Sequence, residues 1–152
     1  MTRFGLRGAI FGIVTLGAAC AVGAATADVI AARQANFKQI AKANKAIGDE
    51  LKNAQPSVAV LQANARTIAT LAPQIPNWFP AGSGPESGVQ TAALPTVWAR
   101  NADFRKTAAG FAAAARTLNA AAASGNVAQV QTVFSGLGGN CKACHDSFRA
   151  RK

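Results

Sequence analysis

The segment Cys141-Lys142-Ala143-Cys144-His145 brings two thiols and an imidazole into five consecutive positions, and His145 is the single histidine of the chain. Two cysteines separated by two residues and followed at once by histidine form the attachment signature of a c-type haem. The two sulfurs add across the haem vinyl groups as thioethers, and the next residue is held against the iron as an axial ligand. On a helical turn this spacing puts both sulfurs at one edge of the porphyrin, with the imidazole one step further round. Other chemistries of C-x-x-C fit less well. A closed zinc site takes about four ligands, and beyond the motif the chain offers only Cys20. A redox dithiol belongs beside a βαβ pattern, and the sequence shows none. The expectation is one covalent haem c, bonded to Cys141 and Cys144, with His145 on the iron.

Such attachment needs an extracytoplasmic site, and the N-terminus supplies an address. Arg3 and Arg7 form a short basic region, residues 9–22 are apolar or small, and Ala25-Thr26-Ala27 reads as a small-residue cleavage site. This is the pattern of a secretory signal peptide. The apolar run is diluted by Gly and Ala and falls short of the roughly 20 residues that a membrane span needs. Residues 1–27 are therefore read as a cleaved signal and residues 28–152 as a single domain in the periplasm. Taking Arg3 and Arg7 from the 16 basic residues, against 6 acidic ones, leaves that domain at +8. A basic protein favours anionic partners. Export and the lack of any nucleic-acid motif argue against nucleic acid, so an acidic redox protein or the anionic membrane surface is the expected partner.

Four helices must position the motif. Ile30, Arg33, Phe37, Ile40, Asn44, Ile47 and Leu51 recur at spacings of three and four between Asp28 and Asn53, which is one stripe of a helix. Lys38, Lys42, Lys45 and Lys52 fall on another side. A second helix starts near the cap Ser57 and ends at Pro73, with Val58, Leu61, Ala65, Ile68 and Ala72 inward. A loop from Pro73 to about Ala93, rich in Pro and Gly, cannot be one helix; its Trp78 and Phe79 are expected to fold back onto the core. A third helix begins near Pro95 and carries Trp98, Asn101, Phe104, Phe111 and Leu118 inward. After the turn Ser124-Gly125-Asn126, a fourth helix aligns Val127, Val130, Phe134, Leu137, Cys141, Cys144 and Phe148. No strand pattern is present. The fold class is all-α: an antiparallel four-helix bundle with its haem near the C-terminal helix.

These segments together resemble the cytochromes c′, the class II c-type cytochromes. The resemblance is carried by CKACHDSFR at the C-terminus, Gly125-Asn126-Val127 with Val130 and Phe134, the loop IPNWFPAGSGPES, Val97-Trp98, and Ala32 to Phe37. It covers essentially all of residues 28–152. It implies a left-handed bundle, usually a homodimer through the first two helices. It also implies an apolar side chain over the distal iron site, which falls on Phe37, and a basic residue beside the axial imidazole, which falls on Arg149. From the residues alone, Phe37 is equally an inner-face core aromatic, and Arg149 is equally a C-terminal cation that complements the helix dipole. Arg33 lies on the inner stripe, where a charge needs a partner. A haem propionate is one candidate, and a stem reaching to solvent is the other.

The ligand inventory sharpens the functional reading. A strong second axial ligand is usually Met or His, but the one methionine is Met1 and the one histidine is already in the motif. A lysine would first have to lose its proton. The iron is therefore expected to be five-coordinate and high-spin. This sets the chain apart from low-spin class II relatives, which draw a methionine from the first helix. A five-coordinate iron beside an apolar pocket suits nitric oxide and carbon monoxide and discriminates against dioxygen. Electron exchange with an acidic partner is the alternative role. With no second histidine to act as a distal base, the chain is expected not to be an enzyme.

Overall fold

The computed structural model describes residues 18–151. Five helices follow in order: α1 (Ala18–Glu50), α2 (Val58–Leu71), α3 (Thr96–Ala99), α4 (Asn101–Ala123) and α5 (Val127–Phe148). The long helices α1, α2, α4 and α5 form the expected four-helix bundle, and no strand occurs among the described residues. None of the described helices is long and apolar enough to cross a membrane.

The N-terminal part of the expected signal segment lies outside the described residues. The remainder, AACAVGAATA from Ala18 to Ala27, belongs to α1, so this helix begins ten residues before the expected Asp28. The physical reason is composition: alanine has the best helix propensity and continues a helix at no steric cost. At the other end, two side chains cap the start of α2 in series. Glu50 accepts a hydrogen bond from the Ser57 backbone N–H at 2.7 Å, and the Ser57 hydroxyl accepts from the Val60 N–H at 3.4 Å. Two N–H groups at the start of α2 are thus satisfied by side chains.

The chain does not become a loop at Pro73. It tightens into a 3₁₀ turn over Ala72–Trp78, because Pro73 and Pro76 lack the donors an α-helix needs. The turn buries Ala72 and Ile75 and delivers Trp78 and Phe79 to the core, as expected. The expected third helix is in fact two. The backbone leaves helical geometry at Arg100 (φ −118°, ψ 46°), and the Asn101 side-chain amide donates to the Val97 carbonyl in place of the interrupted ladder. Asn101, expected to face inward, is exposed. Gly125, at φ 75°, makes the turn from α4 into α5, where the Asn126 carboxamide oxygen caps Gln129 N–H at 3.0 Å.

Alanines at the helix contacts set the interhelical spacing. Ala65, Ala72 and Ala115 are fully buried in the same core cluster as Ile47, Leu61, Ile68 and Leu118. α2 packs on α1 and α4, and α4 packs on α5, but α1 and α5 approach each other hardly at all. They meet near Gly48, where an added Cβ would stand 3.5 Å from the Phe134 ring. Phe134 lies in the first half of α5, and Gly48 in the last turns of α1. The part of α1 before Gly48 is therefore left opposite the part of α5 after Phe134, where the C-x-x-C-H motif sits.

Candidate haem site

The period of α5 dictates where its functional side chains emerge. Leu137, Cys141, Cys144 and Phe148 follow at spacings of four and three, so the thiols continue the stripe that Leu137 and Phe148 bury. Both cysteines are free, half-buried and packed against the core. Burial pushes both thiols above their ordinary range, and the neighbouring Cys141 adds to the rise at Cys144. His145 stands beside that stripe with an exposed imidazole. Its pKa is lowered, first by desolvation and then by the positive charge of Arg149, against a smaller opposing pull from Asp146. The imidazole is thereby biased to its neutral form, the one that binds iron.

The surroundings of α5 fit a planar group on this side. Gly138 lies seven residues before His145, two helical turns along nearly the same side. A Cβ added at Gly138 would meet no atom within 4 Å, and the same is true of Gly136 and Gly139. The donor set, two thiols and an imidazole on one edge, is that of haem c. Among the described residues, no cluster of His, Cys, Asp and Glu could hold a bare metal ion instead.

The helix is held in place from behind. Thr96 Oγ1 donates to the Ser147 carbonyl at 2.8 Å, Leu94 N–H to the Phe148 carbonyl at 3.0 Å, and Ala150 N–H to the Ala92 carbonyl at 2.8 Å. Phe148 packs edge-on to Phe104 with ring centroids 5.3 Å apart, and Phe104 to Phe79 at 4.9 Å. Arg149 leaves the helix in extended geometry, its N–H still bonded to the His145 carbonyl at 3.2 Å. Its positive charge acts on the His145 imidazole.

On α1, Phe37 is half-buried rather than central to the core. Its ring meets Trp78 edge-on at 5.2 Å and Phe79 at 6.2 Å. Of the two courses open to Arg33 in sequence, the structure bears on the one that leads to solvent. Arg33 is 3 % exposed, so its stem does not lead to solvent. Its terminal nitrogens are engaged by the loop: Nη1 donates to Ser83 Oγ (3.1 Å) and the Trp78 carbonyl (3.4 Å), and Nη2 to Thr91 Oγ1 (2.9 Å) and the Ser83 carbonyl (3.0 Å). All four bonds come from the two terminal nitrogens of the five-donor fork. Ser83, Thr91 and Trp98 were not among the expected site residues. Their only signal in the sequence is a polar, glycine-flanked segment facing a charge that needs acceptors.

With this geometry in view, likeness to known proteins can be weighed. The family described as Cytochrome C' matches residues 28–149. This chain belongs to the cytochrome c′ family. A cytochrome c′ of Rhodopseudomonas palustris is 42 % identical over 147 residues, covering 94 % of each chain. The nitric oxide complex of a cytochrome c prime mutant from Alcaligenes xylosoxidans superposes with TM-score 0.74 at 26 % identity, over 84 % of this chain and 97 % of that one. A cytochrome c′ described by ligand-controlled dimer dissociation gives TM-score 0.76 at 29 % identity, over 83 % and 97 %. Proteins of the cytochrome c′ family carry one covalently bound haem c, and that is the cofactor of this chain. Cys141, Cys144 and His145 are the residues placed to hold it.

Proposed function

We propose that this cytochrome c′ works in the periplasm as a gas-binding haem protein, taking nitric oxide and carbon monoxide at a five-coordinate iron, and that it is not an enzyme. One observation carries the reading: among the described residues no methionine or second histidine stands ready for the second axial position. Met1 is the only methionine and His145 the only histidine. Every described lysine, from Lys38 to Lys142, is exposed to solvent. Haem c, held by Cys141, Cys144 and His145, supplies an iron that takes one diatomic ligand or one electron. Phe37 offers that ligand an apolar, donor-free wall, which suits nitric oxide and carbon monoxide and not dioxygen.

Optical spectra of the purified protein test this. The ferrous form is expected to be high-spin and to convert fully on addition of carbon monoxide. A sharp low-spin spectrum that ignores carbon monoxide would reveal a sixth ligand from the chain and overturn the reading. Sizing of the same samples is expected to show a homodimer; a monomer under all conditions would remove that part of the proposal.

Electron exchange with an acidic partner is a second role compatible with the first. It is favoured by the exposed Lys38 and Lys42 on α1 and by a charge of +8 over residues 28–152. Exchange rates with an acidic redox protein should then fall steeply as salt rises through physiological strength, where the screening length is about 8 Å. Rates indifferent to salt would exclude docking through this charge.

A further inference from the structure

Arg33 is a buried cation with no carboxylate beside it: the ion pairs of the described residues lie elsewhere, at Asp49, Asp103 and Asp146. Its partners are carbonyls, hydroxyls and an aromatic face, all from the segment between Trp78 and Thr91. The guanidinium carbon stands 4.4 Å from the centre of the Phe79 ring, and four hydrogen bonds tie the fork to Trp78, Ser83 and Thr91. Ser83 is 2 % exposed and passes its own hydroxyl hydrogen to the Pro80 carbonyl at 2.8 Å. From the other side, Trp98 Nε1 donates to the carbonyls of Phe79 (3.2 Å) and Pro80 (3.0 Å). Three successive carbonyls, those of Trp78, Phe79 and Pro80, are therefore pinned by side chains of α1 and α3.

The pinned turn is also what Phe37 rests on. Arg33 and Phe37 are one helical turn apart on α1, and the Trp78 and Phe79 rings meet Phe37 edge-on. We propose that Arg33 is a positioning residue for gas access: by clamping the 78–91 loop it fixes the aromatic wall against Phe37, and release of that loop admits the ligand. The inference deepens the reading of Phe37 as the distal side chain and rests on it. A planar fork is the group suited to this task. Lysine offers a single point of attachment and cannot serve acceptors on Trp78, Ser83 and Thr91 at once. A buried charge is also a weak device for stability alone, so its use here points to a need for one loop arrangement. Irregular segments held by few contacts are the places where proteins open first, and here Arg33 supplies four of the hydrogen bonds to the loop, beside two from Trp98 and one from Gln34 to the Gln90 carbonyl.

The test compares the wild-type holoprotein with Arg33→Lys, Thr91→Val and Phe37→Ala, and with Arg33→Lys placed on Phe37→Ala. Carbon monoxide association with the ferrous protein is timed after flash photolysis. Protease cleavage within residues 79–92 is followed separately on the same holoproteins. Arg33→Lys is expected to raise the association rate about tenfold, the equivalent of one lost hydrogen bond to a charged group. Thr91→Val should act in the same direction but less, and cleavage of the loop should quicken in both. On the Phe37→Ala background, Arg33→Lys should change the rate less than about twofold, because a residue that acts through another is not additive with it. An unchanged rate in both single variants overturns the proposal, as does an Arg33→Lys effect that persists in full without Phe37. If Arg33→Lys fails to retain haem, Thr91→Val decides alone: a faster rate supports the clamp, and an unchanged one rejects it. Wild-type protein that takes up no carbon monoxide refutes the five-coordinate reading itself, and so is distinguished from failure of the clamp, in which wild type and variants bind equally fast.

Discussion

A chain carrying Cys141→Ala and Cys144→Ala is expected to give no haem-stained band on a denaturing gel, while its far-ultraviolet dichroism stays helical. The two effects separate because they depend on different properties of the same helix. Covalent retention of haem depends on the two sulfurs, and nothing else in residues 28–152 can form a thioether. Helix formation depends on the buried stripe of Val130, Leu137 and Phe148 and on the Asn126 cap, none of which is touched. Alanine at both positions is itself a good helix former, and the cysteines are only half-buried, so the apoprotein loses little packing of its own. It is still expected to melt earlier than the holoprotein, because a group bound only by the folded state stabilises that state. Either single cysteine variant should keep a weaker stain through the remaining thioether. His145→Ala should keep the full stain and change the optical spectrum, since it removes the iron ligand but neither sulfur. A stained band from the double variant would mean attachment elsewhere, and Cys20 would then be the only candidate thiol.

The features that could be read from sequence are those whose physics is local. Attachment of haem c constrains five adjacent residues, so Cys141, Cys144 and His145 announce themselves. The bundle follows from apolar spacing, and its joints follow from Ser57 and Gly125, each of which acts within a few residues of itself. Other features depend on backbone groups or on packing at a distance. The 3₁₀ turn after Ala72 replaced an expected loop because the prolines there weaken the α-helix without preventing a tighter one. The unwinding at Arg100 depends on how α3 meets α5 and on one asparagine amide. The course of Arg33 was hidden for a clearer reason. Two of its four acceptors are backbone carbonyls, which every residue carries and no sequence marks, and the other two are hydroxyls 50 and 58 positions away. Burial of Arg33 was predictable from its stripe, but the identity of its partners was not.

Phe37→Ala is expected to speed carbon monoxide association by about tenfold or more, equivalent to removing at least about 1.4 kcal/mol of steric barrier. The argument turns on the placement of Phe37. It lies on the inner stripe of α1 but is half-buried, whereas Ile40 and Ile47 on the same stripe are fully covered. A ring whose only role was core packing would gain from being equally enclosed. Instead Phe37 rests edge-on against Trp78 and Phe79, eleven residues before Gly48 on α1, just as His145 lies eleven residues after Phe134 on α5. Its truncation will also destabilise the fold. Loss of a fully buried Phe costs roughly 3–5 kcal/mol, and a half-buried one should cost about half of that. A control is needed to divide the two consequences, and Leu118→Ala provides it. Leu118 is fully buried near the far end of α4, and its truncation should destabilise by roughly 2–5 kcal/mol while leaving gas binding alone. If both variants lose stability and only Phe37→Ala binds carbon monoxide faster, Phe37 guards the iron. If the two variants bind at the wild-type rate, Phe37 is bundle core like its neighbours, and the distal wall must be sought among the other residues of α1.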